Sequence, residues 1–63
     1  MGLSIGDKVI ANKDFSYKVK KGWIGSIIEQ EEPFFGAARW KISWNSGEYV
    51  DWVNKDSDGI SKI

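Results

Sequence analysis

The chain holds no cysteine and no histidine. The usual thiolate and imidazole nucleophiles, bases and zinc ligands are therefore missing, and any chemistry must rest on carboxylates, hydroxyls, lysine and tyrosine. Glu29, Glu31 and Glu32 lie too close in sequence to face one another across a substrate, as an acid and base pair must. A solvated acidic loop is the simpler reading. Asp56-Ser57-Asp58-Gly59 carries a fragment of a calcium-loop pattern without the full ligand set or its terminal Glu, and reads as a turn. No catalytic residue, metal site or cofactor is expected, and the chain reads as a non-enzyme.

Two groups of residues suit binding instead. Lys13, Lys18, Lys20 and Lys21 surround Tyr17 and precede Trp23, with Arg39 and Lys41 further on. Such a set could follow a nucleic-acid backbone while the rings stack on bases. The total charge gives this reading no support: nine basic residues balance nine acidic ones, so no long-range field attracts a polyanion. The second group is aromatic: Phe15, Tyr17, Trp23, Phe34 and Phe35. Adjacent residues in an extended segment point in opposite directions, so Phe34 and Phe35 can share one core only if their loop packs over something, and one ring is expected in solvent. Were the two loops to converge, these rings would line an apolar groove, and Glu31 and Glu32 on its rim would favour a basic ligand. A cage for methylated lysine is the extreme version. The leading expectation is a protein-protein interaction or regulatory accessory module, an adaptor whose partner is a protein or peptide. Nucleic-acid binding is the alternative.

The elements that must position these residues are short. A chain of 63 residues has room for a single domain, 1–63, with one core. Domains of this size bury only about 60% of the surface their unfolded chains expose. With no disulfide or zinc to compensate, the burden falls on aromatics, and four Trp, three Phe and two Tyr supply the area. No apolar pattern at helical spacing runs long enough for a helix. Turn residues instead divide the chain into five short apolar segments: 7–12, 23–28, 38–44, 48–53 and 60–63. Ala38-Arg39-Trp40-Lys41-Ile42-Ser43-Trp44 alternates strictly, which places Trp40, Ile42 and Trp44 on the core face of an antiparallel strand. Asn45-Ser46-Gly47 then closes a hairpin, with Gly47 free to take positive φ. Gly25 inside the second segment signals a bend or a close backbone approach. Residues 13–22 read as a long first loop, in which Phe15, Tyr17 and Val19 alternate as a two-stranded excursion would. Residues 29–37 read as a second loop broken by Pro33. Residues 54–59 suit a single short 3₁₀ turn, after which the last strand pairs with the first and closes the sheet. The fold class expected is all-β, a five-stranded SH3-like small barrel.

Particular residues carry a resemblance that agrees with this order. Gly6-Asp7-Lys8-Val9, followed by Lys21-Gly22-Trp23-Ile24-Gly25-Ser26-Ile27, resembles the G-D-x-V and K-G-x-x-G-x-I/V pattern of KOW, Tudor-like and related SH3-like barrels. It continues through Trp40 to Trp44, Gly47, Ile60 and Ile63. The resemblance implies the barrel and no particular activity. The type II dihydrofolate reductases share the same glycine-bearing segments. Where their pore strand reads Val-Gln-Ile-Tyr, however, this chain has Val50-Asp51-Trp52-Val53. No charged start leads into an apolar run of the roughly 7 to 15 residues that a signal peptide needs. No run approaches the about 20 apolar residues of a membrane span. The expectation is a cytoplasmic protein with no membrane partner.

Overall fold

The computed structural model describes residues 2–15 and 18–63. Five strands follow in chain order: β1 Lys8–Ala11, β2 Ile24–Glu31, β3 Arg39–Trp44, β4 Tyr49–Asn54 and β5 Ile60–Lys62. They form one antiparallel sheet in the order β4-β3-β2-β1-β5. No described residue is helical.

The alternation in β3 decides which face is buried. Trp40, Ile42 and Trp44 are 7%, 0% and 0% exposed, which makes this strand the centre of the core, while Arg39, Lys41 and Ser43 turn to the outer face. Val9 and Ala11 of β1, Ile27 of β2, Val53 of β4 and Ile60 of β5 complete the inner layer. One open sheet covers only one side of such a core. The other side is closed by the β1–β2 loop, which lays the fully buried Val19 and the partly buried Phe15 over it.

Gly25 makes the close approach expected of it. A Cβ there would stand 2.6 Å from Ile42 Cγ2 and 2.8 Å from Trp44 Cε3, so the absent side chain is the space into which the indole packs. The hairpin between β3 and β4 turns through three left-handed residues, Asn45, Ser46 and Gly47, with φ of 53°, 61° and 93°. The Asn45 amide helps hold it by donating to Glu48 Oε1 at 2.5 Å.

Four expectations need correction. β2 continues to Glu31, so the second loop starts at residue 32 and not 29. The ladder survives because a bulge at Ile28 resets the register, after which Glu29 pairs with Lys41 and Glu31 with Arg39. These are opposite charges placed directly across the strands. Residues 55–59 form turns and bends with no 3₁₀ segment. Here the Ser57 side chain takes over local bonding, its Oγ accepting from the Gly59 N–H at 3.0 Å. The last strand does pair with the first, Ala11 opposite Ile60, yet the sheet stays open, because β4 and β5 pair with no strand on their outer sides. The strand excursion expected within 13–22 is absent among the described residues.

Candidate functional site

The β2–β3 loop begins where Pro33 removes a ladder donor, and it turns back at Gly36, whose φ of 100° suits glycine. Between them stand Phe34 and Phe35, 93% and 84% exposed. Both rings face solvent, where extended geometry expects one. They meet edge to face, with centroids 4.9 Å apart and planes at 80°, the arrangement that aromatic quadrupoles favour. Beside Phe35 lies a shallow depression of about 390 Å³, walled by Glu31, Pro33, Gly36, Ala37 and Arg39.

The carboxylates around this loop do not make an acidic rim. Glu31 forms an ion pair with Arg39. Glu32 Oε2 lies 2.5 Å from Lys55 Nζ, and Glu29 sits opposite Lys41 in register. Glu31 and Glu32, the two acids that flank the rings, are each ion-paired, so the charge that would draw a basic ligand to the rings is already balanced. What remains is a convex, apolar, locally neutral knob.

The outer face beneath the knob is braced by one indole. Trp52 of β4 lies opposite Lys41. The Arg39 guanidinium stands 4.7 Å from its ring and the Lys41 ammonium 5.7 Å, both in cation–π range. Inside, Lys55 Nζ stands 4.1 Å from the Trp40 ring. Neither Lys55 nor Trp52 stood out in the sequence. The signal that would have found Trp52 is the hairpin itself: pairing outward from Asn45–Glu48 sets Trp52 across from Lys41.

The other aromatic candidates sit elsewhere. Phe15 stacks on Trp44, with centroids 6.0 Å apart, and covers Gly59 so closely that a Cβ there would lie 2.5 Å from its Cζ. Trp23 is half-buried and packs against the core. Tyr17 lies outside the described residues. Trp44 ends β3, whereas the Phe34–Phe35 loop delivers the chain to its first residue, Arg39. Five steps along a strand span roughly 17 Å, and among the described residues no ring contact joins Phe15 or Trp23 to Phe34 or Phe35. The knob therefore stands by itself, apart from the rings of the first loop.

The basic residues divide in the same way. Lys13, Lys18, Lys20 and Lys21 are exposed on the β1–β2 loop, with Lys13 Nζ 5.7 Å from the Phe15 ring. Arg39 and Lys41 lie on the outer sheet face, both over Trp52, and Arg39 is also paired with Glu31. Among the described residues no group of three or more acidic, His or Cys side chains is placed to hold a metal ion. No helix among them is long and apolar enough to cross a membrane. Comparison with protein-family models, curated proteins and solved structures finds no match.

Proposed function

We propose that this protein is a non-enzymatic binding module that inserts the Phe34–Phe35 knob into an apolar pocket on another protein. The observation that carries the reading is the near-complete exposure of both rings. Burying a phenylalanine is worth about 1.5–3 kcal/mol. Two rings left in water forgo about 3–6 kcal/mol, comparable with the about 3–5 kcal/mol that a core of this size supplies. A chain short of core, with five other described aromatics (Phe15, Trp23, Trp40, Trp44 and Tyr49) in or against it, gains nothing from this pair until a partner covers it. The convex shape calls for a concave partner, and the balanced carboxylates call for an apolar rather than a basic one.

The strand order, the long β1–β2 loop and the β3–β4 hairpin support placing the chain among the SH3-like barrels. The same reading extends to an adaptor-like or regulatory role in the cytoplasm.

The test is affinity capture with the wild-type chain and with a Phe34→Ala/Phe35→Ala variant. The variant keeps its fold, because neither ring touches the core. Proteins that the wild type retains and the variant releases identify the partner of the knob. Identical captured sets would overturn the reading.

A further inference from the structure

The free edge of β4 is the second surface with an unmet requirement. The Lys55 N–H donates to the Ala38 carbonyl at 2.9 Å, extending the β3–β4 ladder by one more pair. In an antiparallel ladder the residues that bond the neighbour alternate along the strand. With Lys55 turned toward β3, Tyr49, Asp51 and Val53 also turn that way. Val50, Trp52 and Asn54 direct their N–H and C=O groups outward, where β4 has no neighbouring strand. The Asn54 carbonyl accepts from the Ser57 N–H at 3.1 Å. The Trp52 N–H is capped by the side chain of the residue before it, donating to Asp51 Oδ1 at 2.8 Å. Both backbone groups of Val50 and the Trp52 carbonyl have no partner among the described residues.

Asp51 is placed oddly for a charged residue. It lies opposite the fully buried Ile42 and so belongs to the core face of the edge strand. It is half-buried, and no lysine or arginine lies within ion-pair distance among the described residues. Every glutamate flanking the knob has a cation, and this carboxylate has none.

We propose that the β4 edge is a strand-addition site for an extended segment of a partner protein that carries a lysine or arginine opposite Asp51. Relative to an incoming strand, Asp51 occupies a non-hydrogen-bonded position, where facing side chains come closest. A cation there draws the carboxylate away from the Trp52 N–H and frees that donor for the new ladder. The same residue keeps a second copy of this chain off the edge. Self-pairing centred on Asp51 sets two carboxylates face to face, and self-pairing centred on Trp52 requires the donor that Asp51 caps. An uncharged strand leaves the cap in place. This surface is separate from the Phe34–Phe35 knob, so either can fail without the other.

The experiment uses the whole chain and two capped eight-residue peptides, one alternating valine with lysine and one alternating valine with glutamate, followed by backbone amide shifts. The lysine peptide is expected to shift Val50, Trp52 and Asn54 and to slow hydrogen exchange at Val50. The glutamate peptide is expected to shift none of them. Asp51→Asn should weaken the lysine peptide about tenfold. Val50→Pro removes an outward N–H at an edge position where proline is tolerated, and should abolish the shifts. Phe34→Ala/Phe35→Ala should bind the peptide as the wild type does. Equal binding of both peptides, shifts that avoid β4, or full affinity in Asp51→Asn would overturn the proposal. So would concentration-dependent shifts of the same amides without peptide, which would assign the edge to self-association.

Discussion

The ammonium of Lys55 stands 4.1 Å from the centroid of the Trp40 ring. It also donates to Gln30 Oε1 at 2.6 Å and to Glu32 Oε2 at 2.5 Å. One side chain from the residue after β4 thus ties the far end of β2 to the large indole at the start of β3, and its stem shields the edge of the core at that point. Its side chain is only 20% exposed, although its partner Glu32 is 65% exposed, so the sheltered contacts of the ammonium with Trp40 and Gln30, rather than the ion pair, set it apart from the Arg39–Glu31 pair at 39% and 42%. Lys55→Met, which keeps the stem and removes the charge, should cost about 1–2 kcal/mol from the lost cation–π and hydrogen-bond contributions. Arg39→Met should cost less than about 1 kcal/mol. Urea melts of both variants check the order.

Gly25 and Gly59 both lie under aromatic rings, yet their alanine variants should differ. At Gly25 the obstructing atoms belong to Ile42 and Trp44, fully buried in the central strand, with no room to withdraw. Gly25→Ala should destabilise by about 2–3 kcal/mol, the upper range for overpacking. At Gly59 the obstructing atoms are the tip of Phe15 and the Lys13 stem, on a loop that can shift. Gly59→Ala should cost about 1 kcal/mol while altering Trp44 fluorescence, because Phe15 must leave its stacking position. A melt of Gly25→Ala that matches wild type would contradict the packing described here.

Ser46 holds φ at 61° without the local amide that makes Asn45 tolerant of that region. Ser46→Gly relieves about 1–2 kcal/mol of steric cost and gives back about 0.5–1 kcal/mol as greater freedom in the unfolded chain. A net gain of about 0.5 kcal/mol should appear as a higher urea midpoint with an unchanged slope. Ser46→Val should lose stability.

A short single-stranded oligonucleotide should leave the amides of residues 18–23 unshifted at low and at moderate salt. The lysines of the first loop and the pair Arg39 and Lys41 sit on separate elements, and the latter two lie over Trp52, with Arg39 also paired to Glu31. Salt-sensitive shifts in that segment would restore the nucleic-acid reading.

Much of the sheet was legible because its signals are local. The alternation from Ala38 to Trp44 carries period two over enough residues to exclude a helix, and Asn45-Ser46-Gly47 can hardly do anything but turn. The extent of β2 was not legible. Glu29 and Glu31 look like loop residues until Lys41 and Arg39 are set across from them, and that pairing depends on an extra residue at Ile28 which no local pattern announces. The site was hidden for the same reason. The aromatic residues were evident, but whether Phe15 shares a surface with Phe35 is decided by which end of β3 each loop approaches. The charges of Glu31 and Glu32 count for little once Arg39 and Lys55 arrive from strands distant in sequence.

The bulge at Ile28 also gives β2 two incompatible phases. Before it the odd positions Gly25 and Ile27 are buried on the inner face; after it the even position Gln30 falls on that face across from Trp40, at its exposed margin. Insertions and deletions are therefore not equivalent along this strand. Deleting Ile28 would leave both halves in their present frames and merely straighten the ribbon. Deleting Ser26 would rotate Gly25 away from Trp44 and close the space that the indole occupies. The strand thus carries one dispensable residue, and it lies where the half that shapes the core meets the half that supports the Phe34–Phe35 loop, so the loop can be repositioned by a change in length without disturbing the interior.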